Sequence, residues 1–421
     1  MNKAQNYHVK DISLAEQGKK NIAWAEQQMG ALMKIKQRFE KEKPFKNMRI
    51  GIALHPTKET AVLVHTLIAG GADIALCACN PLSTQDDVAA ALAREGVKIF
   101  AWKGQNNDEY YVNLQKVVDF KPHITIDDGC DLVTLIHQKY PALIKNIIGG
   151  CEETTTGIIR LKAMEKDNAL QYPVIAVNDN KTKHLLDNYI GTGQSALDGI
   201  IRGTNILIAG KTVVVAGYGE CGKGVAARAK GLGARIIVTE ISPFRALQAY
   251  YDGHNVMSMD DAAAQGDIFI TVTGNKSVIK ASQIAKMKDG AIISNAGHFD
   301  VEIDYKELRS SAKHIEEIRP LVEAFTLSNG RRVICLGQGR LVNLALAEGH
   351  PSDVMDTSFC GQALACEYIV QHKRKLDNKV ITLPEEIDTH IATLKLQSFG
   401  IAIDRPDKQQ LNYMKSWKEG T

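Results

Sequence analysis

The segment VVVAGYGECGKG, residues 213 to 224, limits the possible folds of this chain more than any other segment. Gly217, Gly219 and Gly222 match G-x-G-x-x-G, the fingerprint of dinucleotide-binding domains. From Gly217 the same residues also match G-x-x-x-x-G-K, the start of a phosphate-binding loop. Both motifs need a buried strand, a tight glycine turn and a helix that begins at the turn. The segment therefore predicts a nucleotide-binding α/β domain.

Two residues favour a dinucleotide over a mononucleotide. A phosphate loop needs Ser or Thr after its lysine, because that hydroxyl binds Mg²⁺, and this chain has Gly224 there. A dinucleotide domain needs a carboxylate for the ribose hydroxyls about 20 residues after the glycines. Glu240 ends the next predicted strand and fits that role. A carboxylate repels a 2′-phosphate, so NAD is favoured over NADP, while Arg245 close by keeps NADP open as the alternative.

Short apolar runs alternate with helix-period stretches along most of the chain, which is typical of βαβ units. The strand candidates are residues 49–54, 72–78, 97–102, 123–128, 173–178, 211–217, 234–240, 267–274 and 290–297. The alternation starts again after the turn-rich GTGQS at 191–195. The fold class is therefore α/β, with two doubly wound, Rossmann-like parallel-sheet domains.

The domain boundaries follow from this pattern. We predict a first domain over residues 1–190 that is completed by about 350–388, and a second domain over 191–349. A short helical C-terminal tail, 389–421, follows, and we expect it to contact a neighbouring subunit.

Composition excludes several classes of protein. The net charge of +3 is small for 421 residues, and Lys and Arg do not cluster with aromatic residues, which argues against a nucleic-acid partner. No apolar run reaches the roughly 18 residues of a membrane span, and the N-terminus is polar, so we expect a cytoplasmic protein. The eight cysteines form no C-x-x-C pair, which predicts buried thiols and no structural metal.

Polar side chains follow several of the predicted strands. His55, Asp127 and Asp128, Asn178 and Asp179, and His298 all stand at strand ends. Ligands of open α/β sheets bind at the carboxyl ends of the strands, so these residues predict a site there. Each of them taken singly is also a common turn or capping residue.

Two further segments admit a structural and a functional interpretation. CEETTTG (151–157) offers carboxylates and hydroxyls for a hydroxyl-rich ligand such as a sugar, or a Thr that caps the following helix. In KTKHLLDN (181–188), Lys183 and Asp187 are four residues apart. They form either a solvated helix-surface pair or a lysine base oriented by a carboxylate, whose pKa is lowered by desolvation.

Beyond these residues, the sequence resembles the adenosylhomocysteinase (S-adenosylhomocysteine hydrolase) family. The matching blocks are STQDDVAAA, DDGCDL, EETTTG, VNDNKTKHLLDN, VVVAGYGECGKG, NAGHFDVEID and GRLVNLALAEGHPSDVMD. They follow the family order from about residue 50 to 360. The resemblance implies substrate binding by the first domain and permanently bound NAD in the second. It implies oxidation of the substrate 3′-hydroxyl, C4′ deprotonation, loss of homocysteine, water addition and reduction of the ketone.

The resemblance also implies roles for individual residues. Lys183 and Asp187 would serve 3′-oxidation, His55 and Asp128 proton transfer at C4′ and C5′, and His298 acid–base chemistry near the leaving sulfur. The substrate-binding residues would be Thr57, Glu59, Glu153, Lys183, Asp187 and His350, with Thr57 and Glu59 at the adenine. The NAD-binding residues would be Thr154, Thr155, Thr156, Asn188, Gly219, Glu220, Cys221, Gly222, Glu240, Asn275, Asn295 and Asn343.

Some features depart from the commonest family form. The chain ends at SWKEGT, without the longer tail that reaches a neighbouring subunit's NAD, and Thr192 replaces a more familiar cysteine, so it resembles the short prokaryotic and archaeal form. The resemblance implies a homotetramer. Some relatives accept S-inosylhomocysteine, and Glu59 argues for adenine because a 6-oxo group has no hydrogen to donate. A conventional 2-hydroxyacid-type NAD dehydrogenase and a non-catalytic NAD-binding regulator are the two rival functions.

Overall fold

A computed structural model describes residues 6–418 of the chain. The strands are β1 Arg49–Leu54, β2 Asp73–Ala78, β3 Lys98–Phe100, β4 Ile124–Asp127, β5 Gly149–Glu152, β6 Val174–Ala176, β7 Thr212–Ala216, β8 Arg235–Thr239, β9 Asn255–Val256, β10 Ile268–Thr271, β11 Ala291–Asn295, β12 His314–Arg319, β13 Val322–Thr326, β14 Arg332–Leu336 and β15 Val380–Ile381.

The helices alternate with these strands. They are α1 Ala15–Gln28, α2 Gly30–Glu42, α3 Lys58–Ala69, α4 Asp86–Arg94, α5 Asn107–Asp119, α6 Asp131–Lys139, α7 Pro141–Ile144, α8 Thr155–Lys166, α9 Lys181–Lys183, α10 Thr192–Thr204, α11 Glu220–Gly231, α12 Pro243–Tyr251, α13 Met259–Ala262, α14 Ala281–Ile284, α15 Tyr305–Ser311, α16 Val342–Ala345, α17 Ser352–Gln371, α18 Glu385–Ser398 and α19 Lys408–Lys415. Short 3-10 helices cover Ile12–Leu14, Val177–Asp179 and Gly337–Gly339, and a π-helix covers His184–Gly191.

The first sheet has seven strands in the order β15-β6-β5-β4-β1-β2-β3, and all of its pairs are parallel. Its strands are buried on both sides. One face packs against α1 to α4, α17 and α18, and the other against α5 to α8. Apolar side chains on both faces explain why these strands appear in the sequence as continuous apolar runs.

The second sheet has eight strands in the order β12-β13-β14-β11-β10-β7-β8-β9. The strands from β14 to β9 are parallel, whereas β12, β13 and β14 pair antiparallel. Helices cover both faces of this sheet as well. The predicted α/β fold with two doubly wound sheets is confirmed, and the antiparallel edge is an addition that the sequence pattern did not predict.

The chain passes twice between the two sheets. It leaves the first sheet through α9 and the π-helix and enters the second through α10. It returns through α16 and α17, after which β15 adds to the edge of the first sheet beside β6. The two passages touch each other, because a Cβ placed on Gly191 would lie 2.8 Å from Nδ1 of His350. This contact sets the relative position of the two sheets where the site lies.

The C-terminal region divides into a packed and an exposed part. In α18, Ile391 is fully buried, and Lys395 donates to the buried Asp356 of α17 at 2.9 Å. Helix α19 buries none of its residues, and the side chains of Met414 and Trp417 are 76% and 90% exposed. The exposed segment therefore starts after α18 rather than at residue 389.

Two further findings concern the cysteines and possible membrane-spanning helices. All eight cysteines are free thiols, and seven of them are buried. Within residues 6–418, no helix combines the length and apolar character needed to cross a membrane.

Asp356 gives a test of this packing. Its fully buried carboxylate accepts from the backbone N–H groups of Ala31 and Leu32 at 3.0 and 2.8 Å, and from Lys395. Asp356→Ala leaves two helix-end amides without an acceptor and leaves the buried ammonium of Lys395 with only the half-exposed Asp353, so we expect a loss of about 2 to 5 kcal/mol of unfolding free energy. Thermal unfolding followed by circular dichroism measures it. Asp353→Ala, which removes the half-exposed second partner of Lys395, is the matched control and should cost under about 1 kcal/mol. Equal midpoints for the two variants would contradict this account.

Candidate active site

A cavity of about 920 Å³ lies between the carboxyl ends of the two sheets. The first sheet contributes residues that follow β1, β4 and β5, and the second contributes residues that follow β7, β8, β10 and β11. This volume falls in the range of cofactor and small-molecule sites. The parallel strands explain the location, because all of their carboxyl ends within one sheet lie along the same edge.

One end of the cavity is built by the glycine-rich turn after β7. Gly217 has a φ of 103°, and a Cβ on Gly222 would lie 2.0 Å from the carbonyl oxygen of Gly217. Gly219 is the N-cap of α11, and no side chain caps this helix. Free amides at the start of a helix, approached across side-chain-free glycines, form a binding site for a pyrophosphate. The residues at this end therefore fit a dinucleotide.

Glu240 lies at the ribose end of the same turn. Its carboxylate accepts from the backbone N–H groups of Tyr218, Ile241 and Ser242 at 2.7, 2.7 and 3.0 Å, which fixes it at the cavity wall. Arg245 also lines the cavity, with its guanidinium on the Gly219 side. The two residues that sequence reasoning weighed against each other thus lie at the same end of the cavity.

Most residues expected at NAD line the cavity: Thr154, Thr155, Thr156, Asn188, Gly219, Glu220, Cys221, Glu240, Asn275 and Asn343. Gly222 and Asn295 lie behind its wall. Asn295 is fully buried, and its amide nitrogen donates to the carbonyl groups of Gly297, Phe299 and Gly339. This places Asn295 as the anchor of the loop that presents His298.

Lys183 is the buried cation of the cavity. Its Nζ lies 3.2 Å from a carboxylate oxygen of Asp187, 2.9 Å from Oδ1 of Asn188 and 3.7 Å from a carboxylate oxygen of Glu153. The π-helix that starts at His184 places Asp187 and Asn188 side by side toward the lysine, an irregularity that recurs at functional sites. The pair is buried and is therefore not the solvated helix-surface pair that the spacing also allowed.

The charge state of Lys183 differs from the expectation. Burial alone would lower its pKa, but the carboxylates of Asp187, Glu153 and Asp128 outweigh burial and raise the pKa above its ordinary value. Burial likewise opposes the charge on Asp187, yet Lys183 and His350 lower the pKa of this carboxyl. The expectation of a pKa lowered by desolvation was wrong, because it left out the number of carboxylates around the lysine.

Asp128 lies between two imidazoles, at 3.2 Å from Nε2 of His55 and 3.3 Å from Nδ1 of His298. Burial would raise the pKa of Asp128, but His298, His55 and Lys183 outweigh burial and lower it to about 2. Burial lowers the pKa of His298, against the attraction of Asp128. The side-chain atoms of His55, Asp128 and His298 that could bind a metal ion lie within 4.8 Å of one another. Asp128 contacts both rings, and such an arrangement of one carboxylate and two imidazoles is suited to proton transfer. We therefore assign no metal to this cluster.

Glu153 follows β5, beside Lys183. Its carboxylate accepts from Ser358 and Gln362 of α17, and burial raises its pKa to about 7 despite the neighbouring Lys183. In the CEETTTG segment, Thr154 occupies the N-cap position of α8, but its side chain makes no capping hydrogen bond. The Thr154 side chain therefore lines the cavity without capping the helix, whereas the Thr155 hydroxyl donates to Oδ1 of Asn178 at 3.3 Å.

The remaining expected substrate residues lie where the chain crosses between the sheets. Thr57 and His350 line the cavity. Glu59 is almost fully buried behind the wall, where it accepts from Ser352 at 2.6 Å and lies 3.4 Å from Lys58. Glu59 is thus adjacent to the cavity and tied to the start of α17.

Several residues of the site were not predicted. Ser83 and Cys79 lie 2.7 and 3.2 Å from Nδ1 of His55. Ser358 and Gln362 hold Glu153 from a helix more than 200 residues away in the chain. The one signal available for them was the i, i+4 spacing of Ser358 and Gln362, which also fits an ordinary buried helix face.

The fold and this cavity define an α/β enzyme that binds NAD where its two sheets meet. A family model described as "S-adenosyl-L-homocysteine hydrolase" matches residues 6–140, and one described as "S-adenosyl-L-homocysteine hydrolase, NAD binding domain" matches 188–349. The chain belongs to the S-adenosyl-L-homocysteine hydrolase family, and NAD is its cofactor.

Similar proteins carry two different names. The chain is 59% identical to S-inosyl-L-homocysteine hydrolase of Methanocaldococcus jannaschii and 58% identical to adenosylhomocysteinase of Sulfurisphaera tokodaii. It is 56% identical to adenosylhomocysteinase of Saccharolobus solfataricus. Each comparison covers 99% of this chain and 100% of the relative.

The glycine turn can be tested by one added methyl group. Gly222→Ala would push a Cβ against the Gly217 carbonyl at 2.0 Å, so the turn must open and we expect at least a tenfold loss of bound NAD. NAD released on denaturation and quantified by chromatography measures it. Gly231→Ala at the end of the same helix meets nothing within 4 Å and should keep the full NAD content. Full NAD in both variants would disprove the role of Gly222.

Proposed function

We propose that this enzyme catalyses the reversible hydrolysis of S-adenosyl-L-homocysteine to adenosine and L-homocysteine. The observation that carries the proposal is one cavity with two sets of reactive groups beside a dinucleotide cradle. Lys183 with Asp187 forms one set, and Asp128 between His55 and His298 forms the other. NAD supplies reversible hydride transfer at C3′ of the substrate. A simple dehydrogenase needs only one such set.

Lys183 is the base at the 3′-hydroxyl. It stands within contact distance of Glu153, the residue proposed for the ribose hydroxyls, so both can face the same sugar. Since its surroundings favour the ammonium form, Lys183 must pass on a proton before it can accept one. Asp187, whose lowered pKa keeps it ionised, contacts Nδ1 of His350 at 3.3 Å as well as Nζ of Lys183, so it orients both groups and does not carry the proton itself.

The second set acts on C4′ and C5′. Oxidation at C3′ acidifies the neighbouring C–H bond, so an ordinary side chain can remove that proton. With a pKa near 2, Asp128 stays ionised at neutral pH and is a poor proton carrier. The protons therefore move on His55 and His298, while Asp128 orients both rings and stabilises their charged forms. His298 serves the leaving sulfur from the side of the second sheet.

The purine is adenine in this proposal, and hypoxanthine is the alternative. A carboxylate can accept a hydrogen bond from a 6-amino group, but it repels a 6-oxo group. Glu59 accepts from Ser352 through one oxygen and lies just behind the cavity wall, beside Thr57, so the proposal requires its second oxygen to face the base. Overall identity does not separate adenine from hypoxanthine, because the S-inosyl and adenosyl relatives are 59% and 58% identical to this chain.

We also propose a cytoplasmic homotetramer, as the family resemblance implies. Ile241, Phe244 and Tyr251 are 90%, 86% and 79% exposed next to the cofactor end of the cavity. In the exposed C-terminal segment, Ile403, Met414 and Trp417 are likewise 69%, 76% and 90% exposed. Apolar surface of this kind is common at subunit contacts, and light scattering after size exclusion would give the number of subunits.

The first functional prediction concerns Lys183. Purified enzyme without added NAD should release homocysteine from S-adenosyl-L-homocysteine, measured with a thiol reagent. Lys183→Met should lower kcat by about 10²- to 10⁴-fold, the contribution of a positioned base, with NAD content unchanged. Lys181→Ala, an exposed lysine two residues away, is the control and should keep full activity. Release of no thiol from either the adenosyl or the inosyl compound, or stoichiometric accumulation of reduced cofactor, would favour a dehydrogenase.

The second concerns the purine. Wild-type enzyme should cleave the adenosyl substrate faster than the inosyl one. Glu59→Gln keeps the shape of the side chain but can also donate, so the ratio of the two kcat/KM values should shift toward the inosyl substrate by about 10- to 100-fold, the worth of a hydrogen bond to a charged group. Faster cleavage of the inosyl substrate by the wild type would overturn the assignment.

A further inference from the structure

Two buried acids precede the two carboxylates of the site on neighbouring strands. Asp127 is the last residue of β4 and directly precedes Asp128. Glu152 is the last residue of β5 and directly precedes Glu153. Asp127 and Glu152 are register partners across the parallel pair, and both are fully buried. Neither lines the cavity, and the mechanism above uses neither. Two acids buried together need a physical reason, because unpaired charge is costly in the interior.

Their hydrogen bonds connect the two loops that carry the site. Asp127 accepts from the N–H groups of Asp128 and Val133 at 3.0 and 2.9 Å. One oxygen of Glu152 accepts from the N–H groups of Gly129 and Thr154 at 2.8 and 3.1 Å. Glu152 therefore connects the turn that follows β4, which lies next to Asp128, to the start of α8.

The same turn reaches the second sheet. Gly129 has a φ of 105°, and a Cβ placed on it would lie 2.3 Å from Nε2 of His298. A small displacement of this turn would therefore move Asp128 and change its contacts with His298. Glu152 is the side chain that limits such a displacement.

The second oxygen of Glu152 has no hydrogen-bond partner among the described residues, although it is buried. The carboxyl packs on Gly157, where a Cβ would lie 2.1 to 2.4 Å from its atoms. No cation lies within 4.0 Å of either acid in residues 6–418; Arg160, on α8, pairs with Asp131 at 2.6 Å. The titratable groups that face Asp127 or Glu152 are Cys77, Cys79, Tyr110, Asp128, Cys130, Asp131, Cys151, Arg160 and Tyr172.

We propose that Glu152 is a positioning residue that works as an uncharged carboxylic acid beside Asp127 and fixes Asp128 and Thr154 relative to each other. In this form it connects the two loops without adding a further negative charge next to Asp128, Glu153 and Asp187. Burial and the neighbouring Asp127 raise the pKa of Glu152 well above its ordinary value, and burial raises the pKa of Asp127 to about 7. The kinetic part of this proposal rests on the proposed function; the protonation state does not.

Infrared difference spectroscopy tests the protonation state without substrate. At neutral pH, the wild-type minus Glu152→Gln spectrum should show loss of the carbonyl stretch of a protonated acid. Glu386→Gln, at an exposed glutamate, is the control and should show loss of a carboxylate band instead. Loss of a carboxylate band in the Glu152 variant would overturn the proposal whether or not the enzyme hydrolyses the proposed substrate.

Kinetics test the positioning role. Glu152→Gln retains an oxygen that accepts from Gly129 and Thr154, so kcat should stay within a few-fold of wild type. Glu152→Ala releases both amides, and kcat should fall about 10- to 100-fold with a smaller change in KM, since misplacement of about 1 Å costs that much. An equal loss in both variants, or full activity of the alanine variant, would overturn the role. If the alanine variant does not fold, a tenfold or larger loss in the glutamine variant overturns it.

Discussion

The buried ammonium group of Lys183 allows Asp128, Glu153 and Asp187 to share one cavity. Carboxylates that are brought together without a cation raise one another's pKa and take up protons. Here Lys183 contacts Asp187 and Glu153, and its charge helps keep Asp128 and Asp187 ionised. Glu153, whose pKa is about 7, is the carboxyl for which burial still outweighs this attraction. The lysine thus helps to set the charge of its neighbours, in addition to the role of base that we propose for it.

The chemistry of the cavity also depends on the position of the two sheets. His298 belongs to the second sheet and Asp128 to the first, so their 3.3 Å contact exists only when the sheets are close. The guanidinium of Arg160 in α8 lies over the ring of Phe299, at 5.6 Å, and adds a second contact across the cavity. Lys58 of α3 reaches Glu348, which also pairs with Arg202 of α10. The contact between Asp128 and His298 therefore depends on how close the two sheets lie.

The sequence allowed the fold class and the ends of the main strands to be predicted, because buried parallel strands are apolar and glycine turns have few solutions. It did not reveal β5, whose residues GGCE contain no β-branched side chain, or the exposed and charged β12. Those strands exist because their backbones pair with neighbours that lie far away in the chain. Partners such as Ser358 and Gln362 were missed for the same reason. The direction of the pKa shift of Lys183 was predicted wrongly for a related reason. Burial can be inferred from the sequence pattern, but the number of carboxylates around the lysine is set by the folded chain.

Overall similarity does not separate the two purines named for the relatives of this chain. Two relatives of nearly equal identity to this chain carry names with different purines, although each aligns over the full length. The groups that hold the sugar and move its protons are the same for either purine, because the reacting carbon atoms lie on the ribose. Only a group that contacts position 6 of the base can tell an amino donor from an oxo acceptor. Discrimination of this kind is strong when a buried polar group is left unpaired by the wrong ligand. The proposal for Glu59 depends on this effect, because its carboxylate is buried and held by Ser352 at the start of α17.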